Sequence, residues 1–129
     1  YGGTQEYVDM LGDVVLAFMI EKKGAVDNLE EILSEPGVEM IQWGGADFSM
    51  NIGKPRQMND PEVQAAKKKT FELGIKMGVP PRAEIQSADE MKEYLDMGVR
   101  DFSLGTDISI LYSFWKNEGE KVLRAMEGE

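Results

Sequence analysis

Along this chain, short apolar runs alternate with stretches in which apolar residues return every three or four positions. Residues 14–20 (Val-Val-Leu-Ala-Phe-Met-Ile) are apolar without a break, as in a strand buried on both faces, and Glu21 ends the run. Val26, Leu29, Ile32 and Leu33 then share one face of a helix over 25–34, which Glu35-Pro36-Gly37 breaks. Residues 38–43 predict a second strand, and 48–58, with Gly53, Pro55 and Arg56, a loop. Asp60-Pro61-Glu62 starts a helix with an acid cap, proline at the first position and an acid in the first turn; Gly78 stops it after Met77. Residues 82–85 predict a short third strand after Pro80-Pro81. Ser87-Ala88-Asp89-Glu90 has the form of a capping box, and its helix carries Met91, Tyr94 and Leu95 on one face before Gly98. Residues 99–104 predict a fourth strand. After Gly105-Thr106-Asp107, with Asp107 read as a cap, a last helix carries Ile108, Leu111, Phe114, Trp115, Val122 and Met126. In the lead-in, Tyr7 to Leu11 predict the end of a helix, with Gly12 as its stop.

Strand and helix thus alternate four times with short connections, which calls for parallel strands and right-handed crossovers. The expected fold is α/β, of the (β/α) barrel type, in one domain over residues 1–129. Four βα units are half of an eightfold barrel, corresponding to its second half, and alone they leave two open strand edges. Completion by another part of the gene product, another copy of the chain or another subunit is expected; a small open α/β sandwich is the alternative. In a parallel sheet Glu21, the Gly44–Asp47 turn, Glu84 and the Gly105–Asp107 turn all lie at the carboxyl edge, where such folds bind ligands.

Composition narrows the chemistry. A net charge of −10 argues against nucleic-acid and anionic-membrane partners, and Lys67-Lys68-Lys69 reads as a solvated helix face. The chain has neither cysteine nor histidine, so a metal would be held by oxygen, as suits Mg²⁺ or Mn²⁺. The nine methionines read as core filler. The 14–20 run is too short for a membrane span and poorly placed for a signal peptide; the expected location is cytoplasmic. The first residue is Tyr rather than Met, which leads to the expectation of a fragment or processed product.

The second strand ends at Trp43-Gly44-Gly45-Ala46-Asp47. Two glycines let a ligand approach the backbone, and amides opening a helical turn there form an anion site with Asp47 at its rim. Glu21 closes the preceding strand, so its carboxylate and that of Asp47 can converge on a divalent ion. The same residues also suit a plain loop ending in an N-cap and an exposed rim acid.

Several stretches carry a resemblance to the HpcH/HpaI aldolase family, the metal-dependent aldolases of 2-oxo acids. They are Met19-Ile20-Glu21, residues 25–33, Pro36-Gly37-Val38, residues 44–50 with Gly44-Gly45-Ala46-Asp47, residues 61–66, residues 94–100 and residues 102–107. The resemblance covers nearly the whole chain. It implies a barrel whose divalent ion (Mg²⁺, Mn²⁺ or Co²⁺) is held at positions matching Glu21 and Asp47. It also implies that a pyruvate carboxylate rests on the amides of Ala46 and Asp47, beside Gly44, Gly45 and Trp43. The implied activity is that of a class II aldolase, a carbon–carbon lyase working through a pyruvate enolate on a 2-oxo acid and an aldehyde. It further implies a homo-oligomer with the C-terminal helix at the interface.

The chain departs from the family in three ways. Gly45 stands where proline is usual, and Trp43 where a smaller aliphatic residue is common. The family's arginine and histidine–aspartate pair belong to the first half of the barrel and have no match here. The chain alone is therefore expected to lack the acid/base half of the site, and no catalytic residue is assigned within it. Arg82 and Glu84 are expected to form an internal ion pair. The rival readings are a non-catalytic half-barrel module that assembles with a partner or binds a small acid, and a lyase of acyl-coenzyme A thioesters, for which no convincing basic patch is present.

Overall fold

The structure, a computed structural model, describes residues 3–128. After a short helix α1 (Gln5–Met10) and a 3₁₀ turn, strand β1 (Ala17–Ile20) leads to two short helices, α2 (Lys23–Asp27) and α3 (Leu29–Ser34). Strand β2 (Met40–Trp43) is followed by α4 (Gly45–Asn51) and the long α5 (Pro61–Met77). Strand β3 (Pro81–Ile85), α6 (Met91–Met97), β4 (Asp101–Leu104) and α7 (Asp107–Glu127) complete the chain. The four strands form one parallel sheet in the order β1-β2-β3-β4. A doubly wound sheet reverses strand order at a switch point, whereas this sheet runs in sequence order, as a barrel's does.

The core lies between one face of the sheet and helices α2 to α6. Ile20, Val26, Leu29, Leu33, Ile41, Phe48, Val63 and Ala66 make one cluster, and Phe71, Ala83 and Val99 make a second against Tyr94, Met97 and Phe102. Helix α5 contributes to both because Val63, Ala66, Thr70, Phe71 and Gly74 recur at helical spacing. The Asp60 side chain accepts from the Glu62 amide at its start, and Gly78, at φ 78°, closes it in the left-handed region.

Several local expectations need correction. The 14–20 run is not buried on both faces: the strand begins at Ala17, and of its residues only Ile20 is buried. As an edge strand, β1 has β2 on one side alone, and Val14, Val15, Leu16, Phe18 and Met19 stay exposed among the described residues. The 25–34 helix is broken at Asn28, whose side-chain amide donates to the Gly24 carbonyl at 2.8 Å and competes with the helical ladder. The 48–58 loop begins with helix, because Phe48 and Ser49 are buried and Phe48 stacks at 4.8 Å on Trp43. The Ser87 side chain makes no capping hydrogen bond; the Glu90 carboxylate instead accepts from the Gln86 amide at 3.2 Å. Leu95 points outward, and Tyr94 and Met97 take the inner face of α6. The cap of α7 is Thr106, which exchanges hydrogen bonds with Ser109, and Asp107 is the first helical residue. No helix among the described residues is long and apolar enough to cross a membrane.

Candidate active site

Glu21 is the first residue past β1, and Gly44 the first past β2. Ile20 and Trp43 are register partners, and the Gly44 amide donates to the Ile20 carbonyl at 3.0 Å, so the two strand ends are laced together. Gly44 is needed here: a Cβ built on it would lie 2.6 Å from the Glu21 Cβ and 3.0 Å from the Met19 Cγ. The turn after Gly44 enters α4 at once. Phe48 is the first amide of this turn to find a helical acceptor, the Gly44 carbonyl at 2.9 Å, so those of Gly45, Ala46 and Asp47 have none within the helix. Asp47, in the first turn, is half-buried, as is Glu21, whose carboxylate lies 3.7 Å from the Lys22 ammonium. Among the described residues, no three or more His, Cys, Asp or Glu side chains gather as a metal cage.

Trp43 turns away from Glu21, toward the helices, where it packs on both core clusters. A Cβ at Gly45 would come 2.7 Å from its Nε1 and 2.5 Å from the Met58 methyl. The two departures of this turn from the family pattern therefore go together: the indole occupies the space that a side chain at position 45 would need.

Arg82 and Glu84 do sit on the sheet face opposite the core, as alternation requires, but they do not pair with each other. Gln42, 3% exposed on the neighbouring strand, stands between them. Its side-chain oxygen accepts from the Arg82 Nε at 2.8 Å and also from the Arg82 Nη2, while its amide donates to the Glu84 carboxylate. The sequence reading missed Gln42; its signal is a polar residue inside the otherwise apolar Met40-Ile41-Gln42-Trp43.

Beside the Gly45-Ala46 turn opens a cleft of about 550 Å³, lined by Trp43, Phe71, Tyr94, Lys67, Glu84 and Glu93 among others. The Lys67 ammonium lies 4.4 Å from the Tyr94 ring centre and 3.2 Å from Glu93. Burial works to lower its pKa, but the Tyr94 and Glu93 side chains together raise it above the ordinary lysine value.

The family model described as HpcH/HpaI aldolase/citrate lyase matches residues 4–113. The chain belongs to this family. Among its relatives, the 4-hydroxy-2-oxo-heptane-1,7-dioate aldolase of Klebsiella pneumoniae is 29% identical over 107 residues, covering 82% of this chain and 40% of that protein. The hydroxypyruvate/pyruvate aldolase of Sagittula stellata is 36% identical over 81 residues, 62% of this chain and 32% of that protein. The chain thus spans well under half the length of these curated relatives. Of solved structures, the HpcH/HpaI aldolase of Desulfitobacterium hafniense aligns with TM-score 0.77 and 23% identity over 93% of this chain and 47% of that one. Macrophomate synthase aligns with TM-score 0.78 and 18% identity over 99% and 45%. At such identities the alignments speak for the fold alone: this α/β sheet is built like part of the barrel-type structures of the family.

Proposed function

We propose that this chain is the metal- and carboxylate-binding portion of a divalent-metal-dependent aldolase of 2-oxo acids, corresponding to the second half of a TIM barrel. The observation that carries the reading is the seating of Gly44 on Glu21, which holds the amide-bearing turn of Ala46 and Asp47 against the first acid. Two carboxylates and no softer donor fit a hard ion such as Mg²⁺, Mn²⁺ or Co²⁺ that keeps water or substrate oxygens in its remaining positions. Glu21 and Asp47 would hold it. When bound, such an ion polarises a ketone as a Lewis acid and stabilises charge developing on its oxygen, which is what forming a pyruvate enolate requires.

The protein's own groups do the rest of the binding. The free amides of Ala46 and Asp47 receive the substrate carboxylate, and the bare backbone of Gly44 and Gly45 allows its close approach. Trp43, behind Gly45, fixes the shape of the turn. Proton transfer has no matching group in this chain: it has no histidine, and Arg82 is engaged by Gln42. Aldol turnover therefore needs residues from outside 1–129, with a cytoplasmic setting in keeping with the family reading.

The exposed apolar side chains of α7, from Ile108 to Met126, and of β1 support assembly with further protein, including a homo-oligomer with α7 at the interface. They equally favour the second reading, a non-catalytic half-barrel module. Calorimetric titration of Mn²⁺, with and without pyruvate, separates the two. Binding strengthened by pyruvate and lost in Glu21→Ala and Asp47→Ala is expected; a folded chain without Mn²⁺ affinity, even when joined to its completing half, would sink the aldolase reading.

A further inference from the structure

The ladder between β2 and β3 is two residues long. Ile41 pairs with Pro81 and Gln42 with Arg82; β2 then ends at Trp43, while β3 continues alongside β4 to Ile85. The cleft of about 550 Å³ lies beside the carboxyl end of β2. Trp43, Gly45 and Ala46 form one lip and Glu84 the other. The Gln42–Glu84 hydrogen bond joins β2 to β3 just past the last ladder pair, and Arg82 fixes which way the Gln42 amide faces. Glu84 is thereby held as an acceptor at the mouth.

The cleft has a consistent chemistry. Its walls are the aromatic side chains Trp43, Phe71 and Tyr94, and its charged lining is Glu84, Glu90 and Glu93 against the single Lys67. The chain already seats one ammonium there: the Lys67 side chain lies over Tyr94 and against Glu93, so both ends of that contact are satisfied internally. Among the described residues, neither Glu84 nor Glu90 pairs with a cation. A carboxylate entering this space would meet three like charges, whereas a cation on an apolar stem would meet acceptors at the rim and ring faces below.

We infer that the cleft binds a positively charged organic group, a primary ammonium or guanidinium on an apolar stem, and rejects anions.

The test is nitrogen-15 NMR of the chain in metal-free buffer, titrated with butylammonium, butyrate and butanol. Butylammonium should shift the Trp43 indole and the amides of Ala46, Glu84 and Tyr94 saturably, and butyrate should not. Glu84→Gln should weaken butylammonium about fivefold, the loss of one partly screened charge-assisted contact. Lys67→Met, which vacates the seat over Tyr94 and beside Glu93, should tighten it, a gain that misfolding cannot mimic. Equal binding of butyrate or butanol, or unchanged affinity in Glu84→Gln, would overturn the inference. Since neither metal nor pyruvate is present, a failure here leaves the aldolase reading untouched, and loss of Mn²⁺ binding leaves this cation site untouched.

Discussion

Gly44 packs against Glu21 with no room for a side chain: a Cβ built on it would be 2.6 Å from the Glu21 Cβ, so any larger residue must displace its neighbours. Gly44→Ala must push Glu21 off the turn or strain β2. We expect a loss of Mn²⁺ affinity of about tenfold or more, which is ~1.4 kcal/mol, and a stability loss of about 1–3 kcal/mol from overpacking. Calorimetry and urea unfolding read the two effects separately. Full Mn²⁺ affinity in a stable variant would mean that this packing does not position Glu21.

Gly74, in the middle of α5, sets two effects against each other. Alanine is the better helix former by about 1 kcal/mol. Its Cβ, however, would lie 2.9 Å from the Val79 carbonyl and 2.7 Å from the Ile41 Cδ1, both held in the packed interior. Overpacking of this kind costs about 1–3 kcal/mol, so Gly74→Ala should lower the urea midpoint without changing the slope. A raised midpoint would contradict the packing.

The start of α5 makes stability depend on pH. The hydrogen bond from the Lys54 side chain, then that from the Glu62 amide, lowers the Asp60 pKa below its ordinary 3.8. Asp60, then Glu62, raises the Lys54 pKa above 10.5. The depressed carboxyl contributes stability above pH 3.8 that is lost as pH falls through its folded value. The raised ammonium contributes below pH 10.5 and loses its share as pH rises through its own folded value. Thermal melts should therefore fall off at both extremes and stay level between for this pair. In Asp60→Asn, which keeps a capping side chain, the acid-side loss from this contact should disappear.

Helix α7 should matter for assembly and not for metal binding. Leu111 and Trp115, 57% and 68% exposed and one turn apart, present one apolar face. Changing both to Glu should shift the sedimentation of the chain toward smaller species and leave Mn²⁺ affinity as it was. An unchanged sedimentation profile would remove α7 from the interface.

Much of this molecule is legible in its sequence. The limits of α5 could be read because its cap and first-turn proline at one end, and its terminating glycine at the other, each act within a few residues. The carboxyl-edge turn was legible for the same reason, since Gly44, Gly45, Ala46 and Asp47 are neighbours in the chain. The break at Asn28 was not, because a helical apolar pattern runs straight through it and a side chain competing for one carbonyl leaves no periodic trace. The exposure of residues 14–20 was not legible either: an uninterrupted apolar run says that a strand wants cover, not that this chain supplies it.

The sequence by itself determined the alternation of strand and helix, the kinship with the aldolase family and the placement of two acids at the ends of consecutive strands. Each of these follows from local backbone preference, or from residues close together in the chain. Only the tertiary structure decided that Gln42 stands between Arg82 and Glu84, that Trp43 fills the space beside Gly45, and that Trp43, Glu84, Lys67 and Tyr94 line one cleft. Gln42 meets residues 40 and 42 positions away, and the Trp43 indole is set beside Gly45 by packing on core residues far along the chain. Which of these contacts form depends on strand register and on what covers each face of the sheet, and neither is written in any single stretch of chain.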